Sequence, residues 1–303
     1  MLFSNKSDKY NKCMSNVLDF IQTQEFATLP QVVSKILELL GDEEVDVRAV
    51  AGLIETDAPL TLKLLKVANS PLYGQRTEVN TIIHAIQQLG INRLTNIVIG
   101  VSIFSKFFLS KNQAVNHLLE EFWWHSSCVG MISKSLSIKT GSSFKDTEFI
   151  GGLLHDIGKL ALLQYDVNLY LELISRIEAD GIRDIVAESD IFGINHAEVG
   201  AEIAMLWKLP VELRDIIAYH ESDDTYNNNT RLMAHVRVAD LLSEMWGAGF
   251  HEGRKILILD EEKSWQILEK SNTNMNNIDL EKFTFELEKD FRRSSEFLKL
   301  IKS

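Results

Sequence analysis

The sequence predicts an all-α protein, on three observations. Only four prolines and sixteen glycines punctuate 303 residues, which leaves room for long helices. Apolar residues recur at i, i+3, i+4 and i+7 in nearly every stretch, the spacing of one helix face. Strand-like character is confined to Ile256-Leu257-Ile258-Leu259, a run too short to assign. With 45% hydrophobic and 24% charged residues, wholesale disorder, collagen-like and low-complexity structure are excluded.

The elements follow in order. Pro30 opens a helix with Val32, Val33, Ile36, Leu37 and Leu40 on one face, closed by Gly41. Asp42-Glu43-Glu44 reads as a solvated loop. Asp46 caps a second helix carrying Val47, Val50, Leu53 and Ile54. Thr56 and Asp57 precede Pro59 at the start of a third, with Leu62, Leu65 and Ala68, before Asn69-Ser70-Pro71 ends it. A fourth runs from Thr81 to Leu89 and stops at Gly90. Asn92 is the expected cap of a fifth, which carries Leu94, Ile97, Val98, Val101 and Phe104.

The second half is helical but differently furnished. Helices are predicted over Glu120–Ile138, Asp146–Tyr165, Val167–Ala179, Ile182–Asp190, His196–Trp207, Val211–His220 and Arg231–Met245. Polar loops are expected over Ser222–Thr230 and Asn272–Asn277. An amphipathic terminal helix with Leu280, Phe283, Leu287, Phe291 and Leu298 is expected to cover the core.

Charge and cysteine content narrow the function classes. A formal net charge of −12 argues against bulk nucleic-acid binding and against docking on anionic lipid. Cys13 and Cys128 form no CxxC pair, which fits a reducing compartment; Cys128 reads as a small buried apolar residue. The N-terminus lacks a signal-peptide core, and the apolar run Ile97–Val101 is far too short to span a bilayer. A soluble cytoplasmic protein is therefore expected.

One constellation carries chemistry. His155-Asp156 lies in Gly151-Gly152-Leu153-Leu154-His155-Asp156-Ile157-Gly158-Lys159, an apolar stretch where a charge needs a reason. A buried carboxylate beside a buried imidazole is costly unless paired or metal-bound. His125 sits mid-helix thirty residues earlier, and Asp240 lies in the apolar run Val236–Leu242. Three helices can bring these side chains together in a bundle core. Mixed imidazole and carboxylate ligation suits Mn, Fe, Ni, Zn or Mg. The competing account is a buried polar network that ties helices together without metal.

These residues match the H…HD…D signature of the HD superfamily of metal-dependent phosphohydrolases. The chain resembles most closely the HDOD family, the HD-related output domain of bacterial signal-transduction proteins. The ordered motifs are Leu29-Pro30, Ile54–Leu60, Leu65–Ser70, Ala85–Gly90, Trp124-His125-Ser126, Gly152–Lys159, His196–Gly200 and Tyr219-His220. Together they cover roughly residues 26–246. The resemblance implies a small N-terminal helical subdomain packed on an HD-type helical bundle. It divides the chain into an N-terminal segment (1–25), the subdomain (26–118), the bundle with the metal site (119–250) and a helical extension (251–303).

The resemblance also implies a metal site. His125, His155, Asp156 and Asp240 keep the four HD positions, and His196 and His220 stand where related HD-GYP enzymes place extra ligands. One ion or two are implied, with Asp156 as the bridging carboxylate. The GYP loop that shapes a cyclic-dinucleotide pocket is absent after Tyr219-His220-Glu221, so cyclic-di-GMP hydrolysis is not expected. Nor does the chain carry a recognisable receiver, cyclase or kinase segment, so its input is expected from a separate protein or ligand.

Two functions follow. In the first, the chain is a regulatory module that binds a signalling protein, with the site structural. In the alternative it is a metal-dependent phosphohydrolase or phosphodiesterase acting on a small phosphate-containing ligand. Asp156 would then ligate and orient water, and Lys159, a turn away, would steady the anionic substrate. The remaining histidines are assigned no ligand role: His84 to a helix surface, His235 to another helix face, His117 and His251 to loops. Trp123, Trp124 and Trp207 are expected in the core.

Overall fold

Local signals start and stop most of the helices at the places where the chain turns. The computed structural model describes residues 2–40, 45–73, 77–108, 115–222, 229–253, 257–271 and 280–302. Within the N-terminal segment, for which the sequence offered no element, residues 2–25 contain α1 (Leu2–Ile21) and the start of the short α2 (Gln24–Ala27); Val17 and Ile21 are buried. Pro30 precedes α3 (Gln31–Leu40), and Asp46 caps α4 (Val47–Glu55) by accepting from the Arg48 and Ala49 amides. Asp57 caps α5 (Ala58–Ala68) in the same way through Leu60, and Thr81 caps α6 (Ile82–Leu89) through His84. The expected loop at Asp42-Glu43-Glu44 lies outside the described residues.

Asn92 does not cap the next helix. Gly90, at φ +85°, turns the chain in a single residue, and α7 (Ile91–Phe107) begins at once with Asn92 in its first turn. From Leu94 to Phe104 every side chain of α7 is buried, so this helix is a spine, packed on α3, α5 and α6.

The second half winds around α8 (Asn116–Lys139), which places His117 in its first turn and not in a loop. Against α8 pack α9 (Thr147–Leu154) and, further along the chain, α15 (Thr230–Ser243). The predicted continuous helix Asp146–Tyr165 is two helices: α9 ends at His155, and α10 (Ile157–Tyr165) restarts after Asp156. Consecutive positions on an unbroken helix point about 100° apart and cannot face one centre. The break lets His155 and Asp156 do so. Then come α11 (Val167–Asp180), α12 (Asp184–Phe192), α13 (His196–Leu206), with a capping box at Asn195 and Glu198, and α14 (Val211–Tyr219).

The predicted Arg231–Met245 helix also stops early. After Ser243 the chain takes a π-type turn over Glu244–Ala248, broken by Gly247 at φ +84°. A 3₁₀ turn at Leu259–Glu261 precedes α16 (Lys263–Ser271), so the ambiguous apolar run forms no strand in its described residues, 257–259. The expected loop at Asn272–Asn277 lies outside the described residues, as does most of Ser222–Thr230. The terminal α17 (Leu280–Lys302) lies on α8 and buries Phe283, Leu287 and Leu298, as its periodicity predicts. One apolar core reaches from Val17 to Leu298 and includes Trp123 and Trp207; Trp124 packs at its edge. Cys128 is fully buried. No helix among the described residues is long and apolar enough to cross a membrane.

Candidate metal centre

Glycines decide how closely the ligand-bearing helices approach. A β-carbon on Gly152 would lie 2.8 Å from the Gly130 backbone, so α9 meets α8 main chain to main chain. This brings His155 to His125. A β-carbon on Gly158 would lie 1.9 Å from the His196 carbonyl oxygen, so α10 and the start of α13 touch at that glycine. This brings His196 to Asp156. His220 follows the last turn of α14, and Asp240 comes from the last turn of α15. All six predicted residues converge, with side chains no more than 2% exposed.

The four imidazoles share one tautomer. His125 Nδ1 lies 2.7 Å from the Ala248 carbonyl, His155 Nδ1 2.8 Å from Gly152 O, His196 Nδ1 2.7 Å from Glu188 Oε2 and His220 Nδ1 3.1 Å from Ile217 O. Carbonyl and carboxylate oxygens only accept, so each Nδ1 carries a proton and Nε2 is the nitrogen whose lone pair an ion would engage. Those Nε2 atoms face each other in pairs, His125–His155 at 3.3 Å and His196–His220 at 3.2 Å. Asp156 lies between the pairs. Its Oδ2 is 3.5 Å from both His125 and His155, and its Oδ1 is 3.3 Å from His196 and 3.2 Å from His220. Asp240 Oδ1 completes the first pair, 3.4 and 3.6 Å from His125 and His155.

The surroundings are rich in carboxylates. Lys159 Nζ is buried 2.9 Å from Asp156 and 2.8 Å from Asp184, so the expected phosphate-steadying charge is already held by acids. Arg237 donates to Asp240 and to Glu221, both at 2.9 Å, and Glu221 also pairs with Arg183. Burial disfavours a charged His125, but the carboxylates of Glu252, Asp156 and Asp240 outweigh it and hold its pKa at about 9. Burial dominates at His220 and pulls it down to about 4. Burial would raise Asp156, yet His155, Lys159 and His196 hold it well below the ordinary carboxylate range.

This donor set fits a divalent cation. Lone pairs and carboxylate oxygens converge on the same small volumes, and in the bare protein a proton on His125 stands in for positive charge. Several triads meet the spacing a single ion requires, among them His125, His155 and Asp240, and His155, Asp156 and His220. His235 stands apart. It is buried but occupied by Thr140 Oγ1 at 2.8 Å and the Arg231 carbonyl at 2.6 Å. His84 is half-buried on α6, and His251 lies in a loop.

Sequence reasoning missed Asp184, Glu188, Arg237 and Glu252. Asp184 and Glu188 are four apart on α12, and both are buried. An acidic pair at that spacing beside Ala187 was a readable signal. Arg237, three residues before Asp240 in an apolar run, was another. Glu252 lies in a loop and no periodicity marks it.

Comparison with known proteins places the chain in a family. A family model of the HDOD domain matches residues 26–223. A Treponema pallidum protein known only as uncharacterized is 26% identical over 199 residues, which is 64% of this chain and 38% of that relative. The chain thus spans well under half of that relative's length. An HDOD domain protein of unknown function from Geobacter sulfurreducens superposes with a TM-score of 0.76 at 24% identity, covering 95% of this chain and 98% of its own. A proposed phosphohydrolase from Shewanella amazonensis gives 0.69 at 25% identity, covering 94% and 98%. With the family model matched over most of its length and the helical fold shared end to end, the chain belongs to the HDOD domain family, related to the HD phosphohydrolases.

Proposed function

We propose that the chain is a regulatory output module that acts by binding a signalling protein, and that its HD-type centre holds one or two divalent ions as a structural element. The observation that carries the metal reading is the convergence of four Nε2 atoms on the two oxygens of Asp156. His125, His155, Asp240 and one oxygen of Asp156 would hold the first ion. His196, His220 and the other oxygen would hold the second. An ion so held lowers the pKa of a bound water towards neutrality and polarises a phosphoryl oxygen. The division into a subdomain over 26–118, a bundle over 119–250 and an extension over 251–303 belongs to this reading.

Burial favours the structural role over catalysis. The cavity next to His220 and Arg237 measures about 20 Å³, room for one water and far below the ~300 Å³ of a ligand pocket. The phosphohydrolase alternative draws its support from Asp156 lying between two histidine pairs, with Lys159 beside it. Elemental analysis of protein from metal-replete culture, run beside turnover of bis(p-nitrophenyl) phosphate, separates the two. The structural reading expects one or two ions per chain and no enzyme-like turnover. Turnover that Asp156→Ala abolishes would establish the alternative, and metal-free protein that regains none on soaking would refute both.

A further inference from the structure

The segment after α15 is an unusually constrained loop. Between Gly247 and Gly253 three residues have positive φ: Gly247 at +84°, His251 at +59° and Gly253 at +76°. A side chain at His251 is strained in this region, and a β-carbon on Gly253 would meet the Ile182 carbonyl at 2.1 Å. Phe250 pins the loop, buried edge-on against Phe122 with ring centroids 5.5 Å apart. The Asp184 amide donates to the Glu252 carbonyl at 3.2 Å. The Ala248 carbonyl, at the loop's start, fixes the His125 tautomer.

What the loop delivers is a carboxylate. Glu252 is 5% exposed, and the Phe250 amide lies 2.8 Å from both of its oxygens. Gly249 makes room for it, since a β-carbon there would lie 2.8 Å from Glu252 Oε2. Its Oε1 stands 3.6 Å from His125 Nε2 and 3.6 Å from Lys159 Nζ. The ammonium is beyond hydrogen-bonding distance and already holds Asp156 and Asp184 at 2.9 and 2.8 Å. One backbone amide and two cationic groups at 3.6 Å, His125 and Lys159, are what face this buried carboxylate in the bare protein, and none of them is a short ion pair. Ligand atoms of His125, Asp156 and Glu252 all lie within 4.8 Å of one another, the spacing a shared ion needs.

We propose that Glu252 is a further ligand of the ion at His125, His155, Asp156 and Asp240, supplied by the strained loop Gly247–Gly253. The assignment rests on the metal reading above. Like Asp240, Glu252 lies beyond the matched residues 26–223, so the C-terminal part of the chain completes the centre.

The test compares wild type with Glu252→Gln, which keeps shape and the Phe250 hydrogen bond but removes the charge. Mn²⁺ is titrated into chelator-stripped protein by calorimetry, and thermal unfolding is followed in chelator and in Mn²⁺. The expected result is at least about a tenfold loss of affinity at one ion. The rise in melting temperature from chelator to Mn²⁺ should be smaller for Glu252→Gln than for wild type. The smaller rise separates a ligand from a structural carboxylate, whose loss would lower both melting curves alike. Wild-type binding with an unchanged Glu252→Gln isotherm would overturn the Glu252 assignment and leave the centre standing. A wild type that takes up no Mn²⁺ and carries no ion as purified would overturn both.

Discussion

Replacing Gly158 with alanine should loosen the centre from a distance, because this glycine is where α10 and α13 touch. The added β-carbon would sit 1.9 Å from His196 O, 2.8 Å from His196 C and 2.9 Å from Gly200 N, all backbone atoms that no rotamer change can move. Ordinary contact begins near 3.4 Å, so the two helices must part by about 1.5 Å. Overpacking of this kind costs about 1–3 kcal/mol, and backbone clashes sit at the upper end. The helix-propensity gain of alanine returns about 1 kcal/mol. The expected net loss is about 2 kcal/mol, a fall of about 4 °C or more in Tm by calorimetry. His196 Nε2 now lies 3.3 Å from Asp156 and 3.2 Å from His220. A shift of that size exceeds the ~0.2 Å tolerance of metal–ligand distances, so the second ion should be lost while the first remains. Gly52→Ala is the matched control. It lies exposed in α4 with nothing within 4 Å of the new carbon, and should stabilise by up to about 1 kcal/mol. A Gly158→Ala protein melting within about 1 °C of wild type with full metal content would refute the packing argument.

Two further outcomes are expected. Lys159→Met, measured by urea unfolding in chelator, should destabilise by about 3–5 kcal/mol, because Asp156 and Asp184 lose their buried counter-charge; a change under about 1 kcal/mol would contradict this. His235 ties stability to pH through burial, which lowers its pKa to about 4. Between about pH 6.5 and 4 the unfolded chain binds a proton that the folded one refuses, so stability falls as pH drops, by up to ~1.4 kcal/mol per unit. His235→Gln should flatten this acid limb in urea titrations at successive pH values, and an unchanged slope would show that His235 stays accessible to protons.

Legibility in the sequence followed locality. Asp46 and Asp57 cap their helices through amides two or three residues on, so nearby sequence suffices to place those starts; Thr81, read as the first helical residue, turns out to be the cap. The amphipathic face of α17 was equally readable, since its partner α8 only has to be apolar. Asn92 misled because an asparagine can cap a helix, while Gly90 had already turned the chain. The break at His155-Asp156 had no local signal, since Gly152 and Gly158 read as helix weakeners until the backbones facing them are known.

By itself the sequence determined the all-α class, most helix positions and which five side chains to look for beside Asp156, because periodicity, caps and motif order are properties of the chain. Tertiary structure decided what surrounds them. The shared Nδ1–H tautomer depends on carbonyls such as Ala248, 123 residues from His125. The charge of Lys159 is engaged by Asp184 on α12, and Glu252 enters from a loop with no periodicity. Electrostatics and coordination act across a few ångströms of space, whatever the separation along the chain, and only the packed helices set those distances.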